Sequence, residues 1–293
     1  MQYHSTRSSF PTVDSAAAVL QGLAEDGGLY LPDRLPDFDW QSCVHCDTFT
    51  IATRILSAFL PDIPEMPQLV RNAYAGKFET DDLTPTVPVG DFSVLELFRG
   101  PTSAFKDVAL SMLPQLLTAA KQQAGMEEDI LILTATSGDT GKAALEGFKD
   151  VPGTRMVVFY PEHGVSNMQK LQMRTQEGGN VAVCAIEGNF DDAQTGVKQI
   201  FTDPDMVQAL HENGMQFSSA NSINWGRLLP QIVYYFSAYC DWAAEDPARF
   251  GTPINFVVPT GNFGNILAGY YAKCMGLPVN RLICASNANN VLT

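Results

Sequence analysis

Asp129–Phe148, DILILTATSGDTGKAALEGF, changes its period halfway along. A short apolar, leucine- and isoleucine-rich run over Ile130–Thr134 predicts a strand. A glycine turn follows, and then alanines, a leucine and a phenylalanine at helical spacing. Residues 154–179, TRMVVFYPEHGVSNMQKLQMRTQEGG, repeat the plan, with a strand over Met156–Tyr160 and a helix near Ser166–Gln176. It returns at 180–203, NVAVCAIEGNFDDAQTGVKQIFTD, and at 254–276, INFVVPTGNFGNILAGYYAKCMG, where Ile254–Val258 reads as strand and a helix starts at Asn265. Alternating strands and helices of this kind predict an α/β protein with parallel sheets covered on both faces. Ligands of such sheets sit beyond the carboxyl ends of the strands, where the glycine loops fall.

The 293 residues suffice for two domains or one large α/β domain, and an apolar content of 45% marks a globular chain. Residues 1–90 differ from the rest in their many prolines and short helical patterns, and read as an N-terminal extension. The formal net charge of −14 argues against nucleic acid and anionic membranes as partners. Any bound anion would need local help from helix N-termini, backbone amides or a few placed cations. No apolar run is long enough to span a membrane, and the first residues lack a basic flank and a continuous apolar run, so the expected location is cytoplasmic. CVHC at 43–46 has no second pair of ligands, so no metal site is expected. The other four cysteines, Cys184, Cys240, Cys274 and Cys284, read as small buried residues. RLICAS, 281–286, starts a strand with no helix after it, which reads as the N-terminal portion of a longer protein, its last strand partly uncovered.

In GPTSAFKDVALSMLPQLL, 100–117, an apolar stripe predicts a helix that Thr102 and Ser103 can cap. Lys106 falls in its first turn, where the free N–H groups favour negative charge. A solvated lysine paired with Asp107 accounts for this in isolation. Three loops bear on the alternative. PTGNFGN, 259–265, can hold a phosphate on backbone N–H groups and a helix N-terminus, with Gly261 and Gly264 taking conformations other residues resist. A plain strand-to-helix turn is the competing reading. TSGDTGKAA, 136–144, offers a corner for a carboxylate, or simply a helix capped by Asp139 or Thr140. SSANSINWGR, 218–227, gathers Asn221, Asn224 and Arg227, equipment for a phosphate monoester or for a capped helix start. Together they offer two phosphate cradles, a carboxylate corner and a lysine whose neutral amine is favoured by partial burial near positive helix ends. A neutral amine forms Schiff bases, and the coenzyme that brings both an aldehyde and a phosphate is pyridoxal 5'-phosphate.

LFRGPTSAFKD, TSGDTGKAALEGF, NSINWGR and PTGNFGNILAGYYAKCMGLP, in this order, resemble threonine synthases of the longer bacterial and fungal branch, and the likeness runs from DGGLYLP at 26–32 to the end. The resemblance implies the tryptophan-synthase-β-like fold, fold type II of the pyridoxal phosphate enzymes. Two parallel-sheet α/β domains are then expected, a large coenzyme domain from 91–120 and 202–293 and a small one from 121–201. It implies conversion of O-phospho-L-homoserine and water to L-threonine and phosphate, so the expected partner is a small-molecule substrate. On the resemblance Lys106 carries the coenzyme, and Gly261, Asn262, Phe263, Gly264 and Asn265 hold its phosphate. Ser137, Gly138, Thr140 and Gly141 would take the substrate carboxylate, and Asn224 and Arg227, with Ser103, the substrate phosphate. Relatives in the wider fold carry Asn where Asp139 stands, so Asp139 receives no coenzyme contact. They also draw a hydroxyl partner for the ring nitrogen from beyond position 293. The competing readings are another fold type II lyase, such as a serine or threonine dehydratase, and a non-catalytic protein that binds phosphorylated ligands.

Overall fold

The computed structural model describes residues 1–7, 11–288 and 290. The chain opens with three short antiparallel strands in the order β2-β1-β3, where β1 is Gln2–Ser5, β2 Val13–Asp14 and β3 Tyr30–Pro32. Between them runs α1, Ser15–Gln21, capped by the Asp14 carboxylate. Helices α2 (Thr48–Phe59, capped by Asp47) and α3 (Met66–Tyr74) follow, and then the hairpin of β4, Thr86–Val89, with β5, Phe92–Leu95. Most of the prolines lie in connections or, like Pro67, at a helix start, where a missing N–H costs least, while Pro32 ends β3 and Pro88 sits in the hairpin strand β4.

From Lys106 the strand–helix alternation takes over. Helix α4, Lys106–Gln123, leads into β6, Asp129–Ala135, then α5, Asp139–Phe148, and β7, Thr154–Pro161. Helix α6, Asn167–Arg174, β8, Val181–Ile186, and the pair α7, Phe190–Thr202, and α8, Pro204–Glu212, complete this run. The sheet is four-stranded, parallel throughout and ordered β8-β7-β6-β9. Its edge strand β9, Met215–Ser218, lies beyond the 121–201 stretch expected to form the small domain. Four residues with one apolar pair carry too little alternation to be read as a strand, and only their pairing with Asp129–Ile132 of β6 brings them in.

Helix α9, Trp225–Ala244, is buried from Trp225 to Cys240 without a break. It packs against α1, α2, α4 and α10, Gly264–Cys274. At its start the Trp225 ring meets Tyr3, Phe59 and Tyr271, which ties the N-terminal extension to the core. A parallel pair, β10, Ile254–Pro259, and β11, Val279–Ala285, flanks α10. Its outer face is open, with Val257 64% and Ile283 41% exposed.

Only one of the four cysteines expected to be buried is so: Cys240 lies inside α9, Cys284 is half-buried, and Cys184 and Cys274 are exposed. Cys184 sits on the outward face of edge strand β8 and Cys274 is the last residue of α10, positions that composition alone does not distinguish from core. Among the described residues no group of three or more His, Cys, Asp or Glu side chains is placed to hold a metal ion, and no helix is long and apolar enough to cross a membrane.

Helices α4 and α5 approach so closely that a Cβ on Gly147 would lie 2.0 Å from the Leu110 carbonyl oxygen. Backbone cannot yield as a side-chain end does. Gly147→Ala should therefore destabilise the chain by about 2 kcal/mol or more, despite alanine's better helix propensity. Urea unfolding of the two proteins checks this, and an unchanged midpoint would mean that the helices separate freely.

Candidate active site

The carboxyl ends of β6 and β10 open onto a cavity of about 570 Å³. Lys106, the turn after β6, the loop before α9 and the loop between β10 and α10 all face it. The parallel sheets thus bring together motifs more than 150 residues apart, at the strand ends where such sheets bind ligands.

Lys106 is the first residue of α4, but the expected caps are absent. Phe105 occupies the cap position without a side-chain bond. Instead the Asp107 carboxylate, 1% exposed, turns back on the preceding loop. It accepts from the Thr102 N–H at 2.8 Å, the Thr102 hydroxyl at 2.5 Å and the Ala104 N–H at 3.4 Å. Burial raises the Asp107 pKa and these bonds oppose the rise. The loop so held includes Ser103 in a left-handed conformation, φ 57°, which costs a non-glycine residue of the order of 1 kcal/mol or more. Ser103 lines a smaller adjoining pocket with Asp139 and Gln169, not the main cavity.

Asp107 is therefore not the partner of Lys106. The Lys106 ammonium instead lies 3.5 Å from Asp139, whose other oxygen takes the Gln169 amide at 2.5 Å. Burial lowers the Lys106 pKa, the Asp139 carboxylate raises it, and the Arg227 guanidinium lowers it again. The balance falls below the ordinary lysine value, towards the neutral amine that the sequence leads one to expect.

In the turn after β6 neither Asp139 nor Thr140 caps α5. The hydroxyl of Thr136 does that work, accepting from the Gly138 N–H at 3.0 Å and the Gly141 N–H at 2.9 Å. Those two amides are thus spent within the turn, while Ser137, Asp139 and Thr140 face the cavity. Gly138 has φ 150°, a conformation that favours glycine, and a Cβ there would also push the Gln169 carboxamide, 2.4 Å away, off its place.

Ahead of α9, Asn224 is fully buried and structural. It accepts from the Gly226 N–H at 2.8 Å and donates to the carbonyls of Val19 and Ser219, both at 3.0 Å. The cavity-lining residues of this loop are Asn221, Ser222 and Ile223, followed by Arg227 on the helix. The residue pattern gathers Asn221 with Asn224 without preferring it, and gives no sign of Ser222. The cap position of Asn224 is the signal that separates them: one asparagine of an N-S-I-N run must start the helix, and the one nearest the helix does. Arg227 is 3% exposed, donates from Nη1 to the Ala220 carbonyl at 3.0 Å, and leaves Nε without a partner among the described residues. Burial lowers its pKa to about 10, leaving it charged at neutral pH.

The loop between β10 and α10 supplies the other end of the cavity. Its left-handed residue is Phe263, φ 60°, at the cap of α10, and not Gly261 or Gly264 as expected. What the glycines provide is room: apart from its chain neighbours, no heavy atom of the described residues lies within 4 Å of a Cβ built on Gly261. All five residues from Gly261 to Asn265 line the cavity.

Known proteins share both the sequence and the fold. A family model described as threonine synthase N terminus matches residues 2–74. Human threonine synthase-like 1 is 42% identical over 94% of this chain and 39% of its own length. A threonine synthase of Pseudomonas aeruginosa is 42% identical over 100% of this chain and 61% of its own. The crystal structure of a pyridoxal phosphate-bound threonine synthase from Brucella melitensis superposes with a TM-score of 0.86 at 42% identity, over 97% of this chain and 60% of that one. The chain thus spans about three fifths of the bacterial relatives it matches.

The opposing effects on Lys106 can be separated. Removing the Asp139 charge removes the influence that favours the ammonium, so in Asp139→Asn the lysine should titrate at lower pH than in the parent. The pH dependence of Lys106 acylation, followed by peptide mass spectrometry, reports that midpoint. A shift to higher pH would mean that Asp139 does not favour the ammonium.

Proposed function

The chain belongs to the threonine synthase family, and on that premise we propose that its cavity binds pyridoxal 5'-phosphate at Lys106 and converts O-phospho-L-homoserine and water to L-threonine and phosphate. The observation that carries this reading is Arg227. A guanidinium this deeply buried, with no carboxylate paired to it and Nε unpartnered among the described residues, is costly unless an anion completes it. The cavity offers that anion a place beside a lysine inclined to the neutral form, and a second anion a place on the open loop at Gly261. One phosphate for the coenzyme and one for the substrate match this donor set, and the resident groups fit both.

When bound, the coenzyme withdraws electrons from the substrate Cα, which makes its proton removable. The protein's own residues do the rest. Lys106 would hold the coenzyme through its amine, and the free amine would move protons at Cα and Cβ. Asp139 sets how much of that amine is charged. Arg227, with Asn221 and Ser222, holds the substrate phosphate and stabilises charge as it leaves Cγ, while water adds at Cβ. Ser137 and Thr140 present hydroxyls to the substrate carboxylate.

A dehydratase acting on a small hydroxy amino acid would have no use for the buried guanidinium, and this favours the phosphorylated substrate.

Borohydride reduction in the presence of pyridoxal phosphate should fix the label on the peptide containing Lys106, and Lys106→Ala should abolish both labelling and phosphate release. Label on another lysine would reject the assignment. Arg227→Lys keeps the charge but loses the two-pronged geometry, so kcat/KM for phosphohomoserine should fall by about 2–3 kcal/mol equivalent with coenzyme binding retained. Normal turnover in that variant, or loss of the coenzyme with substrate affinity intact, would remove Arg227 from the substrate site. Coenzyme binding without phosphate release in the parent chain would leave a binding protein.

A further inference from the structure

The carboxamide of Asn265 is gripped from behind. Two phenol groups of α9 converge on its Oδ1, Tyr234 at 2.6 Å and Tyr235 at 2.9 Å, and Tyr235 also lies 2.9 Å from the Asn265 carbonyl oxygen. Both tyrosines are buried. Burial pushes both phenols well above their ordinary range, so each hydroxyl keeps the one proton it has to donate. Of the two ends of a carboxamide, only the oxygen can accept. Asn265 points Oδ1 at both hydroxyls, which turns its NH2 away from them, and the residue lines the cavity.

The surroundings are shaped to permit this grip. A Cβ on Gly269, one turn along α10, would lie 2.8 Å from Cε1 and Cζ of Tyr235, so the glycine gives the ring its place. Gln231 extends the linkage: its Nε2 donates to the Arg227 carbonyl at 3.0 Å, and its Oε1 lies 3.3 Å from the Tyr234 hydroxyl. The orientation of Asn265 is thus tied through α9 to the turn that carries Arg227.

We propose that Tyr234 and Tyr235 are positioning residues that lock the Asn265 carboxamide with its NH2 toward the coenzyme phosphate, a role that rests on the reading of the Gly261–Asn265 loop as that phosphate's cradle. Without the two donors the amide is free to turn its oxygen to the phosphate, which repels it.

The test is to titrate the full chain with pyridoxal phosphate and, separately, with pyridoxal, which shares the ring and the aldehyde but lacks the phosphate. The parent should prefer the phosphorylated form. In Tyr234→Phe/Tyr235→Phe that preference should fall roughly tenfold, the scale of one or two hydrogen bonds, with pyridoxal affinity unchanged. Asn265→Asp should lose more, because one oxygen takes the tyrosine bonds and the other, now negative, faces the phosphate. Being isosteric, it carries the test if the double variant unfolds. Equal losses for both ligands would mean that the tyrosines merely support the fold, and an unchanged ratio would mean that the amide is not held; either overturns the proposal. A parent with no preference for the phosphorylated form gives a different result, overturning the cradle itself and the proposal with it.

Discussion

Helix α9 is wrapped by protein on every side, and this constraint governs the site. A helix with one buried stripe can rotate or slide by repacking that stripe. One buried from Trp225 to Cys240 must satisfy α1, α2, α4 and α10 at once, so its axial position is fixed to within a small fraction of a turn. Arg227, Gln231, Tyr234 and Tyr235 inherit that precision. The N-terminal extension contributes through the same helix, since Tyr3 and Phe59 pack on the Trp225 ring and the α1 carbonyl of Val19 holds Asn224. Residues far from the cavity thereby set where the guanidinium stands.

Electrostatics acts against the site at long range and for it at short range. A chain with net charge −14 repels anions from a distance. Attraction therefore has to come from groups whose fields are strong only nearby: the desolvated Arg227, the start of α10, and the N–H groups of a loop whose missing side chains let a ligand come close. The same short range explains Lys106. Its ionisation depends on burial and on two neighbours of opposite sign, Asp139 and Arg227, and not on the overall charge of the molecule.

The strand–helix units were legible because period, length and flanking glycines agreed at each. The strands after Asp129, Thr154, Val181 and Ile254, and the helices that follow them, fall close to where the residue pattern places them. Lys106, Arg227 and the Gly261–Asn265 loop, singled out in the sequence beside plainer structural explanations, line one cavity. What stayed hidden depends on contacts between distant segments. Nothing local to Thr136 indicates that it, and not Asp139 or Thr140, holds the turn. Nothing local to Asp107 indicates that its carboxylate folds back on Thr102 instead of pairing with Lys106. Strand β9 is invisible without β6 beside it. The misreading of Asn224 is of another kind, since its two possible tasks use the same chemistry and only burial decides between them.

The two exposed thiols belong to different sheets' surroundings, Cys184 on the outer strand of the four-stranded sheet and Cys274 at the end of the helix that flanks the two-stranded one. Cys43 and Cys240 are buried, and burial pushes the Cys240 thiol up to about 12, which keeps it protonated and unreactive. Under brief alkylation at neutral pH the molecule sorts its own sulfurs by accessibility. A donor and an acceptor dye on those two positions would then turn the spacing between the two sheets into an optical ruler, reading whether it changes when an anion enters.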